Sequence, residues 1–385
     1  MKVAFVGGGP ASLFGALYLK QNRPDIGVYV LEKNNKIGKK LSMTGNGKCN
    51  LAPIVDDFDA YNQPLLVKNL FVSLPLHEYL EILSKLNIHL KTINNIGYYP
   101  LSESAPNVVN ILYADLESFG VELLNANVQD YRVTNNGITL KTDNGELAFD
   151  HVFFGTGGLS YSKSGSDGSL FDVFKHHGYD VKPFSPRLCP LKVKENVKDL
   201  FGARGKAICS LLVDGKVISV EQGEVMFKRD ALSGVCIMNL SRFVDLSKKC
   251  EVVVNFLTDG QRLSSGEIKA ESFLLSYVSE PIAKYVLKLN GVSPSKVLKL
   301  EEQDKLVSSL ANLKFRVTDL YDYENAQMTR GGISISDINN HFESLKEKGI
   351  SFIGEMLDVD AKCGGYNLRF AITSGLEAVK ILFNK

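Results

Sequence analysis

The sequence predicts an α/β chain: a discontinuous Rossmann-like domain, interrupted by an insertion of short strands and helices. Three observations carry this. Lys2–Lys33 reads as strand, glycine-rich turn, helix and strand, a βαβ unit in about thirty residues. From Pro190 to near residue 330 the texture changes to short strands and charged helices. Beyond residue 350 a short strand, a pair of glycines and a helix restore the α/β texture.

The first stretch is the most specific. Lys2–Val6 is an apolar run suited to a buried strand, Gly7-Gly8-Gly9-Pro10-Ala11-Ser12 turns the chain, and Leu13–Gln21 continues at helical spacing. Gly27–Leu31 is a second strand that ends at Glu32. Gly7 permits the tight exit from the strand, and Gly9, with no side chain, lets a pyrophosphate approach the backbone. Ser12 stands where a third Gly or Ala is usual and is small enough for the helix to pack on the strand. The helix N-terminus offers N–H groups and partial positive charge to phosphates. Glu32, 20 residues beyond Ser12, can accept two hydroxyl hydrogen bonds from an adenosine ribose. The competing explanation is an ordinary glycine-rich strand–turn–helix. The acidic residue in place weighs against it.

The bulk numbers set bounds. At 385 residues the chain is long for one domain, and two or three are expected. A formal net charge of +1 and the lack of a Lys/Arg-rich arm point away from nucleic acid and from anionic membranes. No apolar segment is long enough to span a bilayer, and the first apolar run carries no signal-peptide flank. The six cysteines (Cys49, Cys189, Cys209, Cys236, Cys250 and Cys363) form no C-x-x-C. Free thiols, no zinc and a cytoplasmic location are therefore expected.

Next in order, Lys33–Leu51 is too polar and glycine-rich for a strand or long helix. It reads as a loop beside the nucleotide, with Lys36, Lys39, Lys40 and Lys48 supplying charge and Thr44-Gly45-Asn46-Gly47 supplying N–H groups. A merely solvated basic loop fits the spacing too. Pro64–Val72, Pro75–Asn87 and Ser104–Phe119 are expected helices, and Val121–Leu124 a strand. Asn127–Thr134, Gly137–Thr142 and Glu146–Ala148 alternate with period two and are joined by Asn-Gly turns, an antiparallel meander. His151–Phe154 then runs into Gly155-Thr156-Gly157-Gly158. A meander followed by such a strand tilts the cofactor from NAD to FAD.

Ser169–His177 is expected to be helical. Lys206–Val213, Lys216–Val220, Glu224–Phe227, Glu251–Phe256 and Lys314–Thr318 suggest a small β-barrel or sandwich, with turns at Asp214-Gly215 and Gly223. Val235–Leu246, Ser264–Gly291 and Val297–Ala311 read as helices. The insertion has no second βαβ glycine fingerprint, so no separate pyridine-nucleotide domain is expected. Ser351–Ile353 is a short strand before Gly354-Glu355, and Cys363-Gly364-Gly365-Tyr366-Asn367 precedes a helix, Leu368–Phe383. That N–H-rich terminus suits the flavin N1–C2=O edge, and Glu355 can accept ribityl hydroxyls. An ordinary C-terminal cap helix is the alternative.

With these blocks in view, the chain resembles the YhiN/BaiN-type family of FAD-dependent flavoproteins over nearly its full length. The blocks are GGGPAS at Gly7–Ser12, LEKNNKIGKKLSMTGNGKCN at Leu31–Asn50, TGGLSYSKSGSDG at Thr156–Gly168, GEVMFKRDALSG at Gly223–Gly234, TRGGIS at Thr329–Ser334 and GEMLDVDAKCGGYNLRFA at Gly354–Ala371. The resemblance implies a glutathione-reductase-type FAD domain at 1–189 and 331–385, an inserted β-barrel at 190–256 and 313–330, and a helical domain at 257–312. It implies noncovalent FAD. Contacts are implied from Gly7, Gly9, Pro10, Ala11 and Ser12 at the turn, from Glu32 and Lys33, and from Lys40, Leu41, Thr44, Gly45, Asn46, Cys49 and Asn50 along the flavin. Val128, Thr156, Gly157 and Gly158 are implied on the nucleotide side. Gly354, Glu355, Asp360, Gly364, Gly365, Tyr366 and Asn367 are implied on the ring side. The chain departs from the usual pattern at Ser12, Asn46, Lys48, Ala361-Lys362-Cys363 and Arg369. The last two departures are expected near the substrate face.

The function expected is an FAD-dependent oxidoreductase passing hydride through flavin N5, reduced by NAD(P)H docking transiently. Its substrate would be a small molecule with a conjugated C=C bond. Two rivals stand: a flavoprotein that modifies tRNA, and a flavin-dependent redox sensor without turnover. In the sensor, Cys49 is the redox partner, with Cys363 the candidate second thiol. Otherwise Cys49 is a small apolar filler.

Overall fold

The structure is a computed structural model that describes residues 1–258 and 266–383. It divides into two compact units, Met1–Ser185 with Met328–Lys385, and Pro186–Gln327.

The first unit is built on a five-stranded parallel sheet. Its centre is β1 (Lys2–Val6), which enters the helix α1 (Pro10–Asn22) and returns as β2 (Gly27–Glu32). Across the sheet the order is Ile350–Phe352, His151–Phe154, β1, β2, Glu122–Asn125. Val3–Val6 and Val152–Phe154 are all buried, as expected of strands covered on both faces. One edge strand thus comes from far along the chain, which makes this unit discontinuous in sequence.

Behind the glycine turn, α1 lies against the C-terminal helix, Tyr366–Ala378. The approach is backbone to backbone. A Cβ on Gly375 would lie 2.1 Å from the Ala11 carbonyl oxygen, and one on Gly15 would lie 3.0 Å from that of Gly375. The expected meander is present as Val128–Thr134, Gly137–Thr142 and Gly145–Phe149. Gly137 and Gly145 supply the positive φ its turns require. A three-stranded sheet of Ala52–Pro53, Gly97–Pro100 and Leu90–Ile93 was not legible in the sequence. Its strands are short, and Leu90–Ile93 has no buried member to give it a period.

The second unit is a closed six-stranded barrel of Leu191–Val193, Ala231–Ser233, Lys216–Phe227, Arg204–Val213, Cys250–Asn255 and Leu313–Leu320. The turn expected at Gly223 does not exist: Lys216–Phe227 is one strand, in which Gly223 pairs with Ala207. A glycine inside a strand marks close packing as readily as a turn. The helix expected to reach Leu246 stops at Ser241. The single helix expected over Ser264–Gly291 is instead Ala270–Leu275 and Glu280–Leu289, with a short strand at Ile268–Lys269; its first two residues lie outside the described residues. Pro281 starts the second of these helices, where its missing N–H costs nothing. These helices and Leu300–Ala311 belong to the same compact unit as the barrel.

Candidate cofactor site

The glycine turn is shaped from inside the protein and open on its other side. Gly7 has φ +97° and donates to the Leu31 carbonyl (2.8 Å). A Cβ there would lie 2.8 Å from the Gly155 carbonyl oxygen. Gly9 caps α1 with no side-chain hydrogen bond, and a Cβ on it would meet nothing closer than 3.6 Å. The space beside Gly9 is therefore free for a phosphate, while that beside Gly7 is filled by protein. Ser12 is fully buried with an unpartnered hydroxyl, which a Cβ on Gly155 would approach to 2.4 Å. Pro10 and Ala11 complete the first turn, and Ala11 abuts Gly354.

Glu32 closes this turn. Its Oε2 accepts the Gly8 N–H (2.8 Å), and its Oε1 accepts the Asn34 backbone N–H (2.8 Å) and side-chain amide (2.7 Å). A carboxylate has about four lone-pair positions, so one remains for a ribose hydroxyl unless Asn34 moves. The two free positions expected from the sequence are not both there. Lys33 pairs with Asp167 (2.8 Å), and Val128 is buried at the start of the meander.

The 33–51 loop is folded against the turn. The Gly38 N–H donates to the Gly8 carbonyl (2.8 Å), and Leu41 is buried. Gly45 and Asn46 both adopt left-handed backbone (φ +58° and +54°), a state in which glycine and asparagine are least penalised. The Thr44 carbonyl accepts the Cys49 N–H (3.0 Å). Cys49 is itself left-handed (φ +62°) and fully buried, and that burial pushes its thiol up to about 12. The thiol is thus protonated at neutral pH. Asn50 is wedged between two glycines: a Cβ on Gly97 or Gly365 would lie 2.4 or 2.6 Å from its Oδ1. Loop and C-terminal turn therefore meet at Asn50.

A second junction forms around Glu355. Lys40 Nζ lies 2.5 Å from its Oε2 and 2.6 Å from Ser160 Oγ, while Ser160 Oγ donates to its Oε1 (2.8 Å). The Thr329 N–H also donates to Oε1 (3.0 Å), and Thr329 Oγ1 accepts the N–H groups of Leu159 and Ser160 (2.9 Å each). A Cβ on Gly158 would strike Thr329 at 2.8 Å, so the Thr156-Gly157-Gly158 run must be glycine there. Three distant segments thus converge on one carboxylate. Ser160 and Thr329 were missed as site residues, although both lie in blocks that carried the resemblance.

At the C-terminal turn Gly364 and Gly365 have φ +121° and +91°, and the helix starts at Tyr366. Asn367 turns back: its Oδ1 accepts the Ala361 N–H (2.8 Å) and its Nδ2 donates to the Ala361 carbonyl (3.0 Å). Asp360 is fully buried and bidentate with Arg330 (2.6 and 3.0 Å). The side chains of Asp360 and Asn367 therefore brace the turn from within the protein. Tyr61 donates to the Tyr366 carbonyl (2.7 Å), and Lys362 pairs with Asp57 (2.7 Å). A correction concerns Arg369, expected near the substrate face. It is fully buried, its guanidinium 4.2 Å from the ring centres of both Phe71 and Tyr79. It donates to the Leu74 carbonyl (2.6 Å), with Asp56 3.5 Å away.

A βαβ glycine turn open at Gly9, an acidic residue closing β2, and a glycine-led helix returning from the chain's far end define an FAD-dependent oxidoreductase. The residues present fit that group: the space at Gly9 suits a pyrophosphate, and Glu32 keeps an acceptor position. The chain belongs to the HI0933-like Rossmann-domain family, whose profile matches residues 1–381. It is 26% identical to the 3-dehydro-bile acid delta(4,6)-reductase of Clostridium scindens, with 97% of each chain covered. It is 25% identical to the ribosomal RNA dihydrouridine synthase of Escherichia coli, covering 96% of this chain and 94% of that one. Its fold is similar to that of E. coli quinol fumarate reductase, with TM-score 0.54 and 12% identity over 100% of this chain and 70% of that one. No described helix is long and apolar enough to cross a membrane.

Proposed function

We propose that the protein reduces a C=C bond conjugated to a carbonyl group, on a small molecule. The observation that carries this is a shared chemistry. Two full-length relatives act on very different molecules, a 3-oxo bile acid and uridine in RNA, yet each saturates a C=C bond conjugated to a carbonyl. Bound FAD supplies the hydride, through N5.

The chain's residues do the rest by positioning. Gly9 and the first turn of α1 receive the pyrophosphate, and Glu32 takes one ribose hydroxyl. Glu355, neutralised by Lys40, accepts from the ribityl chain. The N–H groups of the Gly364–Asn367 turn and the positive end of its helix would stabilise the N1–C2=O edge of bound FAD, where charge rises on reduction. The donor is NADH or NADPH, docking transiently, since the sequence holds one βαβ glycine fingerprint.

A second reading is a uridine in RNA as substrate. It is favoured by the dihydrouridine synthase relative and opposed by the near-zero net charge. One experiment addresses both readings. The yellow protein is bleached anaerobically with NADH or NADPH, then offered a panel of cyclic enones and dienones, and separately ribosomal RNA from cells lacking the gene. Reoxidation by an enone with a saturated product supports the proposal. Dihydrouridine in the RNA, with no enone turned over, replaces it with the second reading. Neither product overturns both.

A further inference from the structure

The barrel unit holds a feature that the cofactor site does not use. Cys209, in the strand Arg204–Val213, and Cys236, in the helix Val235–Ser241, place their sulfurs 3.7 Å apart. The two residues are 27 apart in sequence, with no C-x-x-C to announce them. We propose that Cys209 and Cys236 are a dithiol–disulfide site, oxidised by hydrogen peroxide and returned to the dithiol by exchange with small-molecule thiols.

The other buried thiols give the contrast. Burial pushes Cys49 up to about 12 and Cys189 up to about 11, as for inert fillers. Cys209 and Cys236 differ from these in facing another sulfur: the Cys236 S–H donates to Cys209 Sγ (3.7 Å) and to the Glu224 carbonyl (3.2 Å). Cys236, next to the exposed Val235 on a short helix, is the thiol that peroxide reaches first, and it attacks.

Access comes from its place in the fold. Cys236 is 1% exposed, but the preceding Val235 is 55% exposed, and the helix has only two turns. Gly234, at φ +97°, has no room for a Cβ, which would lie 2.2 Å from the Glu224 carbonyl oxygen. Fraying of this first turn, a local opening far smaller than unfolding, uncovers the sulfur.

The chemistry balances in two steps. The Cys236 thiolate attacks the peroxide O–O bond, giving a sulfenic acid, and the departing hydroxide takes a proton to become water. The Cys209 sulfur then attacks the sulfenic sulfur, the S–S bond forms and a second water leaves. Two thiols lose two electrons, and one peroxide becomes two waters.

The test uses the full-length, FAD-loaded protein. It is treated with hydrogen peroxide, quenched with catalase, and denatured in N-ethylmaleimide. Non-reduced peptides are then mapped by mass spectrometry. The expected result is a Cys209–Cys236 linked peptide that dithiothreitol removes, with Cys49, Cys189 and Cys250 alkylated. Recovery of both as alkylated thiols, at a peroxide dose that oxidises the more exposed Cys363, overturns the proposal, as does pairing of either with another cysteine. Cys209→Ser should stop at a sulfenic acid on Cys236 that dimedone traps, and Cys236→Ser should leave Cys209 unlabelled. Equal labelling of the two variants overturns the order of attack. Should either variant fail to fold, the wild-type map decides alone.

Discussion

The site has two glycine-to-helix turns, and they are built in opposite ways. The Gly7–Ser12 turn is held mainly from nearby in the sequence, by Leu31, Glu32 and Gly38, and no side chain caps its helix. The Gly364–Asn367 turn is held from a distance by Asn50, Tyr61 and the Arg330–Asp360 pair, and from within by Asn367. A turn that must leave a charged ligand's space empty can only be shaped from behind. A turn that must present an edge to a ring needs bracing on several sides. Their mutational responses should differ accordingly: the first should lose cofactor without losing fold, the second should lose fold first.

The largest effect expected is from Gly9→Val. Its methyl groups would occupy the open space and not collide with protein, since the nearest atom to a Cβ is 3.6 Å away. FAD content by chromatography should fall to nothing while circular dichroism stays native; a variant that keeps FAD breaks the comparison at its first limb. Arg369→Ala tests the other limb. It strands Asp56 and empties the gap between Phe71 and Tyr79, at a cost of about 3–5 kcal/mol on breaking a buried pair. A denaturant midpoint that barely moves would show that the brace is dispensable.

Glu355→Ala lies between these extremes, because it removes the proposed ribityl contact and also leaves Lys40 without its partner. Loss of a charge-assisted hydrogen bond is worth about 1.5–3 kcal/mol, or roughly ten- to a hundredfold in FAD affinity. Fluorescence titration of apoprotein would read it, and unchanged affinity would make Glu355 purely structural. A smaller effect is expected from Cys49→Ser. With the thiol protonated and buried, flavin reduction by NADH or NADPH should stay close to wild type in stopped flow. A lost charge-transfer band would restore the redox role.

The smallest effect concerns Glu103, which pairs with Lys48 at the end of the cofactor loop and with Lys91 (2.8 Å each). These lysines, Lys48 first, hold its carboxyl down from 4.5 to about 2. A depressed carboxylate stabilises the folded state above its ordinary value, and that contribution is lost as pH falls from 4.5 towards 2. Because the pair is exposed, Glu103→Gln should only flatten the acid limb of the melting curve slightly. A large shift would mean that the loop depends on this tether.

The same contrast explains what could be read from sequence. The Gly7–Ser12 turn, β1, α1, β2 and the meander were legible because their signals are local: glycine spacing, helical period, alternation. Glu32 was placed correctly at the end of β2, but its engagement by Gly8 and Asn34 was not foreseeable. Ser160 and Thr329 were invisible because serine and threonine acquire meaning only when distant segments converge, as at Glu355. Arg369 was misjudged because its expected place rested on a departure from the family pattern, and its aromatic partners lie about 300 residues earlier in sequence. Gly223 was misjudged because a turn and a strand interior tolerate the same residue.

The edge strand Ile350–Phe352 has a consequence for how the protein is made. Its neighbour in the sheet is His151–Phe154, and the roughly 200 residues between them take ~10–40 s to synthesise. Throughout that interval the ribosome holds a nascent sheet with one apolar strand unpaired, and an α1 whose partner helix has not yet emerged. Such an edge is a template for pairing with other chains. The last strand of the sheet and the helix that packs on α1 are therefore late arrivals in the life of each molecule.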